Sequence, residues 1–510
     1  MENNFNIVDL FFEKAALHPH KIAIIDNEKA ISFGDFAKQV KDMAVYFQQK
    51  GIKRGDRVMI FVPMSIDLYR SVLALFRIGA TAVFLDEWVS KKRMEICCQV
   101  ADCQAFIGIF KARFFAFFSS ELRRIPIKLG VYYENKSKLI FEKTDTNPDE
   151  TALITFTTGS TGTPKAAKRT HGFLREQFNA LSEKIDPQED DIDMPVLPIV
   201  LLINLGIGCT SVISDFKASK PDAFKPENIV TLIQQHKVTR MVASPFFVKA
   251  LSQYIIKNNT LLNTVNKVFT GGAPVFPNEA ELYHEAFPNA KVEVVYGSTE
   301  AEPISSINVI ALIQEKENLL KSGLAVGLPY HKTSVKIIEI RDETIVCNSD
   351  LDLQAMELSV GNIGEIIVSG SHVLQAYFNN DGALRRNKIF IGNACWHRTG
   401  DSGYLDAKGQ LFLTGRCNTL IGNGENMIAP FVYENYLQSI IGVEIGTILS
   451  LDNQVVIVLE LQKNGNELLI ENQISNLKIK FDTIKVLKKI PRDPRHNSKI
   501  DYEKLKVMLK

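Results

Sequence analysis

The residues with the most evident chemical purpose form one short stretch, Thr157-Thr158-Gly159-Ser160-Thr161-Gly162-Thr163-Pro164-Lys165. Glycines let a backbone approach an anion closely. Hydroxyls and N–H groups donate to its oxygens, and a lysine adds positive charge, so the composition suits a polyphosphate. The residues just before it, Ala152-Leu153-Ile154-Thr155-Phe156, read as a short buried strand that would hold the loop at its end. The loop departs from the Gly-x4-Gly-Lys-Ser/Thr phosphate motif, because Gly162 is followed by Thr-Pro-Lys-Ala. A Gly/Ser/Thr cluster on its own is more often a flexible surface turn.

Further polar stretches follow. Phe269-Thr270-Gly271-Gly272-Ala273-Pro274 is a turn, and Val294-Val295-Tyr296-Gly297-Ser298-Thr299-Glu300 reads as a buried strand ending in a polar turn. Downstream lie Trp396-His397-Arg398-Thr399-Gly400-Asp401, then Gly415-Arg416, then Pro491-Arg492-Asp493-Pro494-Arg495-His496-Asn497-Ser498-Lys499-Ile500. Each is ordinary in isolation, and a lysine near a chain end is normally a solvated charge. Taken together and in this order, they resemble the adenylate-forming superfamily of acyl-CoA synthetases, luciferases and peptide-synthetase adenylation domains.

The resemblance implies a role for each position. Thr157, Thr158, Gly159, Ser160, Thr161, Gly162 and Lys165 would hold the β- and γ-phosphates of ATP. Gly272, Ala273 and Pro274 would border the adenine, Tyr296 would stack on it, and Gly297 belongs to the same motif. Thr299 would contact the α-phosphate and Glu300 would hold Mg²⁺. Asp401 would accept from the two ribose hydroxyls, and Arg416 would contact ribose or phosphate. Lys499 would bridge the carboxylate and the α-phosphate during attack, making Lys499, Thr299 and Glu300 the catalytic set. The implied reaction is ATP-dependent activation of a carboxylic acid, fatty by expectation, to an acyl adenylate with release of pyrophosphate. Such a step needs fixed donors and cations where charge develops on the α-phosphate.

Three outcomes stay open beyond that step. One is transfer of the acyl group to CoA or to the thiol of an acyl carrier protein. A second is closure of a β-hydroxyacyl adenylate to a β-lactone, because Tyr296–Ser305, Trp396–Asp401 and Arg495–Ile500 resemble the β-lactone synthetases of olefin biosynthesis. The third, from another class, is an inactive homologue that only binds nucleotide. Departures from the ligase pattern are Ser498 where many ligases have Gly, Asn418 at the usual acidic hinge position, and no His within Leu197–Leu202.

The elements that must position these residues alternate. Ser32 caps a helix with apolar Phe36, Val40, Met43, Ala44 and Phe47, ended by Gly51. Strands are expected at Arg57–Val62, Ala82–Leu85 and Arg240–Ala243, with helices near Asp67–Gly79, at Pro226–His236 and from Pro245. This predicts an α/β fold of helix-covered sheets. β-rich segments from about Val335 to Gly370 predict a β subdomain. The family's hinge falls at Gly415-Arg416, dividing an N-terminal AMP-binding domain, 1–415, from a small mobile α+β lid, 416–510.

Composition fits. With 45% hydrophobic residues in 510, large cores are expected, and a net charge of +1 gives no footprint for nucleic acid. Seven scattered cysteines without a Cys-x-x-Cys pair predict reduced thiols and a cytoplasmic location. The N-terminal residues do not read as a signal peptide, and the apolar run Met194–Gly208 is too short and broken to span a bilayer. Lys111-Ala-Arg-Phe-Phe-Ala-Phe-Phe118 reads as a buried helix, with peripheral membrane contact or an acyl mouth as its alternatives.

Overall fold

The computed structural model of the chain describes residues 4–85, 90–132, 143–157, 164–216, 220–318, 323–422, 427–463, 465–475, 481–493 and 498–510. Strand and helix alternate as the patterning requires. Ser32 accepts from the Asp35 N–H and caps the helix Phe33–Gln49, which buries Phe36, Val40, Met43, Ala44 and Phe47. The strands Arg57–Phe61, Thr81–Phe84, Ala105–Gly108 and Thr151–Thr157 are parallel, and Lys165–Thr170 returns antiparallel to the last of them. With Ile127–Leu129 they form a six-stranded sheet.

A second sheet of 14 strands has a parallel centre. It runs through Ile192–Pro195, Arg240–Ala243, Lys267–Gly271 and Lys291–Ser298. Ala301–Asn308 pairs antiparallel with the last of these and leads by a short ladder to Leu324–Pro329. Beyond it lie Leu411–Arg416, Ala394–Leu405, Gly364–Ser369 and Ser334–Ile338, so the β-rich segment continues this sheet edge to edge. Helices such as Pro226–His236, Pro245–Lys257 and Pro277–Ala286 cover it, and together with the strands they bury the largest apolar cluster. After Arg416 the chain builds a separate three-stranded sheet, Val443–Leu451, Gln454–Leu461 and Thr483–Leu487, backed by the helices Pro430–Ser439, Glu467–Ser475 and Tyr502–Leu509. It rests on the main body through Lys249 Nζ to Glu444 (3.1 Å), Asn278 Nδ2 donating to the Gln438 carbonyl (2.9 Å), and edge-on Phe276 and Phe431 rings.

Arg240, read from sequence only as the first residue of a strand, is fully buried. Its guanidinium meets Asp193 Oδ1 at 3.1 Å and Asp191 Oδ2 at 2.8 Å, and donates to Asn204 Oδ1 at 2.6 Å. Asn204 in turn donates to Asp193 and Ser211, so the network ties three strands to the helix Pro198–Ile207. Removing one partner of a buried ion pair leaves uncompensated charge. Arg240→Met therefore lowers stability by about 3–5 kcal/mol. The shift is read from the urea unfolding midpoint, and adding Asp191→Asn and Asp193→Asn recovers most of it.

The stretch Lys111–Phe118 corrects its sequence reading. It is helical over Phe110–Ala116, but only Ala112 and Ala116, four residues apart, face the core. The five phenylalanines of 110–118 occupy the other positions and face outward. All seven cysteines are free thiols, as expected.

Candidate active site

One cavity of about 690 Å³ gathers the candidate residues. Thr157, Lys165, Gly272, Ala273, Pro274, Tyr296, Gly297, Thr299, Glu300, Asp401, Arg416 and Lys499 all line it. They come from both large sheets and from the C-terminal part, so they meet only through the fold. Thr158, Gly159, Ser160, Thr161 and Gly162 lie outside the described residues. The strand Thr151–Thr157 delivers Thr157 and the strand Lys165–Thr170 delivers Lys165, so the ends of that hairpin loop open on the cavity.

The Gly271–Pro274 turn lies against the Tyr296 strand. A Cβ at Gly271 would sit 2.5 Å from the Val295 carbonyl oxygen, so only glycine lets these backbones approach. Tyr296 Oη donates to Asp401 Oδ2 at 2.7 Å, and Arg416 Nη1 lies 3.1 Å from Asp401 Oδ1. Asp401 and Arg416 face each other across adjacent antiparallel strands. Burial and the Asp401 carboxylate push the Tyr296 phenol well above its ordinary value, so it stays a neutral donor. The result is a fixed aromatic face beside a carboxylate with acceptor capacity left over.

Glu300 is the electrostatic centre. Its Oε1 accepts from Tyr377 Oη at 3.1 Å, lies 3.5 Å from Thr157 Oγ1 and sits 3.6 Å from Lys165 Nζ. Burial works to raise its carboxyl, but His397, Lys165, Lys388 and the Tyr377 hydroxyl outweigh it and hold the group at about 2. Burial pushes His397 itself down to about 3, so at neutral pH that ring is uncharged and the lysines carry the effect. Lys388 is buried opposite His397 on neighbouring strands. Burial lowers its amine to about 8, with Glu300 among the groups opposing the drop. An ionised, dry carboxylate with a hydroxyl beside it is a set of hard oxygen donors, the kind that suits a magnesium ion already carried by phosphates.

Lys499 reaches the cavity from a loop pinned to the C-terminal sheet. Asp493 Oδ1 accepts from the Lys499 N–H at 2.9 Å, and the Asp493 N–H donates to the Lys499 carbonyl at 2.8 Å. Glu460 holds the same loop through the Ile490 N–H and Arg492. Glu434, also at the cavity wall, is buried against the Tyr502 and Thr447 hydroxyls, and burial raises its carboxyl to about 7.

The same cavity is also lined by apolar Val62, Met64, Leu68, Val72, Leu181, Ile185, Ile199, Val200 and Leu202. The helix Pro198–Ile207 serves two purposes, since Ile199, Val200 and Leu202 line the cavity while Leu201 and Leu205 pack in the core. Tyr377, Lys388, His397 and Glu434 were not singled out by sequence. Only His397 lay inside a recognised stretch, and the others carry no local signal.

The AMP-binding enzyme family matches residues 11–378, well over half of the chain, and the protein belongs to that family. Olefin beta-lactone synthetase of Stenotrophomonas maltophilia is 30% identical over 394 residues, covering 73% of this chain and 70% of the relative. The synthetase of the same name from Xanthomonas campestris is 29% identical over 406 residues, covering 76% and 72%. The 2-succinylbenzoate–CoA ligase of Bacillus subtilis is 26% identical over 432 residues, covering 84% and 81%. Among solved structures, O-succinylbenzoate coenzyme A synthetase of Bacillus subtilis in complex with ATP and magnesium ion shares the fold, with a TM-score of 0.79 at 23% identity, covering 98% of this chain and 99% of that one. The chain is thus an adenylate-forming enzyme that activates an acid as an acyl adenylate, with a large N-terminal and a small C-terminal domain.

Proposed function

We propose that the acid is a long, apolar one, activated with Mg·ATP. The observation that carries this is that one cavity gathers Tyr296, Asp401, Glu300, Lys165 and Lys499 together with a large apolar lining that includes Val62, Leu68, Ile199 and Leu202. Tyr296 and the Gly272–Pro274 turn take the adenine, and Asp401 with Arg416 takes the ribose. Lys165 and the loop from Thr157 to Gly162 hold the β- and γ-phosphates, while Thr299 meets the α-phosphate. Glu300 and the Thr157 hydroxyl hold the magnesium ion, which when bound neutralises phosphate charge. Lys499 draws the substrate carboxylate to the α-phosphorus. Its attack there forms the acyl–oxygen–phosphorus linkage and expels pyrophosphate. The division falls at Arg416, with 1–415 supplying most of the contacts to both substrates and 416–510 presenting Arg416 and Lys499 and moving after adenylation. Seven free thiols fit a reducing cytoplasm.

For the second step we favour closure of a β-hydroxyacyl adenylate by its own hydroxyl, which releases AMP and gives a β-lactone. Sequence alone placed transfer to a thiol first, but the relatives at 29 and 30% identity are β-lactone synthetases. Transfer to CoA or a carrier-protein thiol stays as the second reading, supported by the CoA ligases at 24–26%. Product mass spectrometry separates the two. The enzyme receives Mg·ATP and a long-chain β-hydroxy acid, with and without CoA. The expected product forms without CoA and is lighter than the acid by one water. A thioester formed only with CoA establishes the second reading, and no pyrophosphate release with any acid removes both.

A further inference from the structure

The outward face of the helix Phe110–Ala116 and the turn after it carries five of the six phenylalanines exposed among the described residues. Phe110, Phe114, Phe115, Phe117 and Phe118 are exposed, Phe110 by 75% and Phe117 by 67%. The Phe114 and Phe118 rings meet edge-on at 5.4 Å, so the aromatics form one patch. Arg113 lies against Gly130. Lys111, Arg123 and Arg124 are exposed at its rim, with Arg113 and Lys128 half-buried. From 105 to 132 the one acid is Glu121, and it is already paired with Arg124.

We propose that this face docks on an anionic lipid bilayer. Exposed aromatic rings gain by entering the headgroup boundary, and cations around them gain from anionic lipid, so the two features favour the same partner. An apolar protein partner would account for the rings but not for the excess of basic residues around them, five against Glu121 and Glu95. The position in the fold fits delivery of an apolar acid. Phe110 follows the strand Ala105–Gly108 after one residue, Ile109, and this strand and Thr151–Thr157 are parallel members of one sheet. The patch and the cavity residue Thr157 therefore share one edge of the sheet, three strand spacings or about 14 Å apart. Under the patch, Ala112 and Ala116 pack in the same cluster as Leu85 and Phe156, which line the cavity. Docking itself is independent of the proposed function, whereas use of the bilayer as the source of acid rests on it.

The test is co-sedimentation of the full chain with phosphatidylglycerol–phosphatidylcholine vesicles, without ATP or acid. Binding is expected at low salt, to fall as salt rises, and to be weak on phosphatidylcholine alone. Charge reversal by Lys111→Glu, Arg123→Glu and Arg124→Glu weakens it about tenfold or more. Phe114→Ser with Phe117→Ser and Phe118→Ser abolishes it, and retained pyrophosphate exchange with a short soluble acid shows that the variant is folded. Should the serine variant misfold, the charge-reversal variant decides. Absence of binding to anionic vesicles overturns the proposal, as does undiminished binding of the charge-reversal variant. A wild type that does not bind vesicles but dimerises through the phenylalanines also overturns it and makes a second copy the occupant. Failure here leaves the product assay untouched, so the two readings fail separately.

Discussion

Lys499→Ala is expected to lower the rate of acyl-adenylate formation by about 10²–10³ or more, the scale of losing a fixed group aimed at developing charge. Lys499 lines the cavity that also holds Glu300 and Lys165. Asp493 grips the backbone N–H and carbonyl of Lys499, and Glu460 grips Ile490 and Arg492, and truncation at Cβ leaves these four bonds in place. The loss is thus one of charge at the reacting carboxylate, and it falls on kcat more than on the KM for ATP. ATP–pyrophosphate exchange measures it. Lys499→Arg keeps the charge on a bulkier fork and regains only part of the rate. When synthetic acyl adenylate is supplied, the alanine variant still completes the second step. Wild-type exchange in Lys499→Ala would remove this lysine from the adenylation step.

Sequence reached those parts of the site whose chemistry is local. Loop, turn and motif residues are read from neighbours along the chain, and twelve of the candidates named there line one cavity. Helix starts were equally legible, because Ser32 makes its capping bond to a residue three positions away. What stayed hidden is created by distant strands. Lys388 and Tyr377 have no motif, and their meaning appears only when the Lys388–Ile391 strand is laid against Ala394–Leu405 and the Glu300 carboxylate arrives from another part of the sheet. Arg240 looked like an ordinary strand residue because its partners lie 36 to 49 residues away. The phenylalanines of 110–118 misled for a different reason. Apolar residues are read as buried, but the helix has only one inward stripe, and two alanines fill it.

Glu300→Gln should be the second most damaging change, with adenylation falling about 10²–10³-fold and partly restored by raised Mg²⁺. Glutamine keeps the shape and one acceptor oxygen for the Tyr377 and Thr157 hydroxyls, so the wall around it stands. The negative charge is what disappears. In the wild type, burial raises the carboxyl, but His397, Lys165, Lys388 and the Tyr377 hydroxyl together hold it at about 2, and it stays ionised at any pH near neutral. The same attraction works on the lysine. Lys388, held near 8 by burial, has Glu300 among the groups that keep it from falling further. With the carboxylate gone, burial draws the amine below that value, so Lys388 gives up part of its charge rather than holding all of it unpaired, and the fold persists. The sign for the wild type follows from the same shift: stability gained from Glu300 is present above the ordinary carboxylate range and is lost only as pH falls toward 2. Two measurements separate a metal role from a structural one. A structural role predicts a lowered unfolding midpoint with unchanged dependence of pyrophosphate exchange on Mg²⁺. A metal role predicts a near-unchanged midpoint, a raised Mg²⁺ requirement, and a kcat deficit that narrows at high Mg²⁺ because mass action restores part of the lost occupancy. The buried, ionised and hydroxyl-flanked state of Glu300 argues for the second pattern, because a dry carboxylate kept charged beside two amines is suited to a hard cation brought in by phosphate.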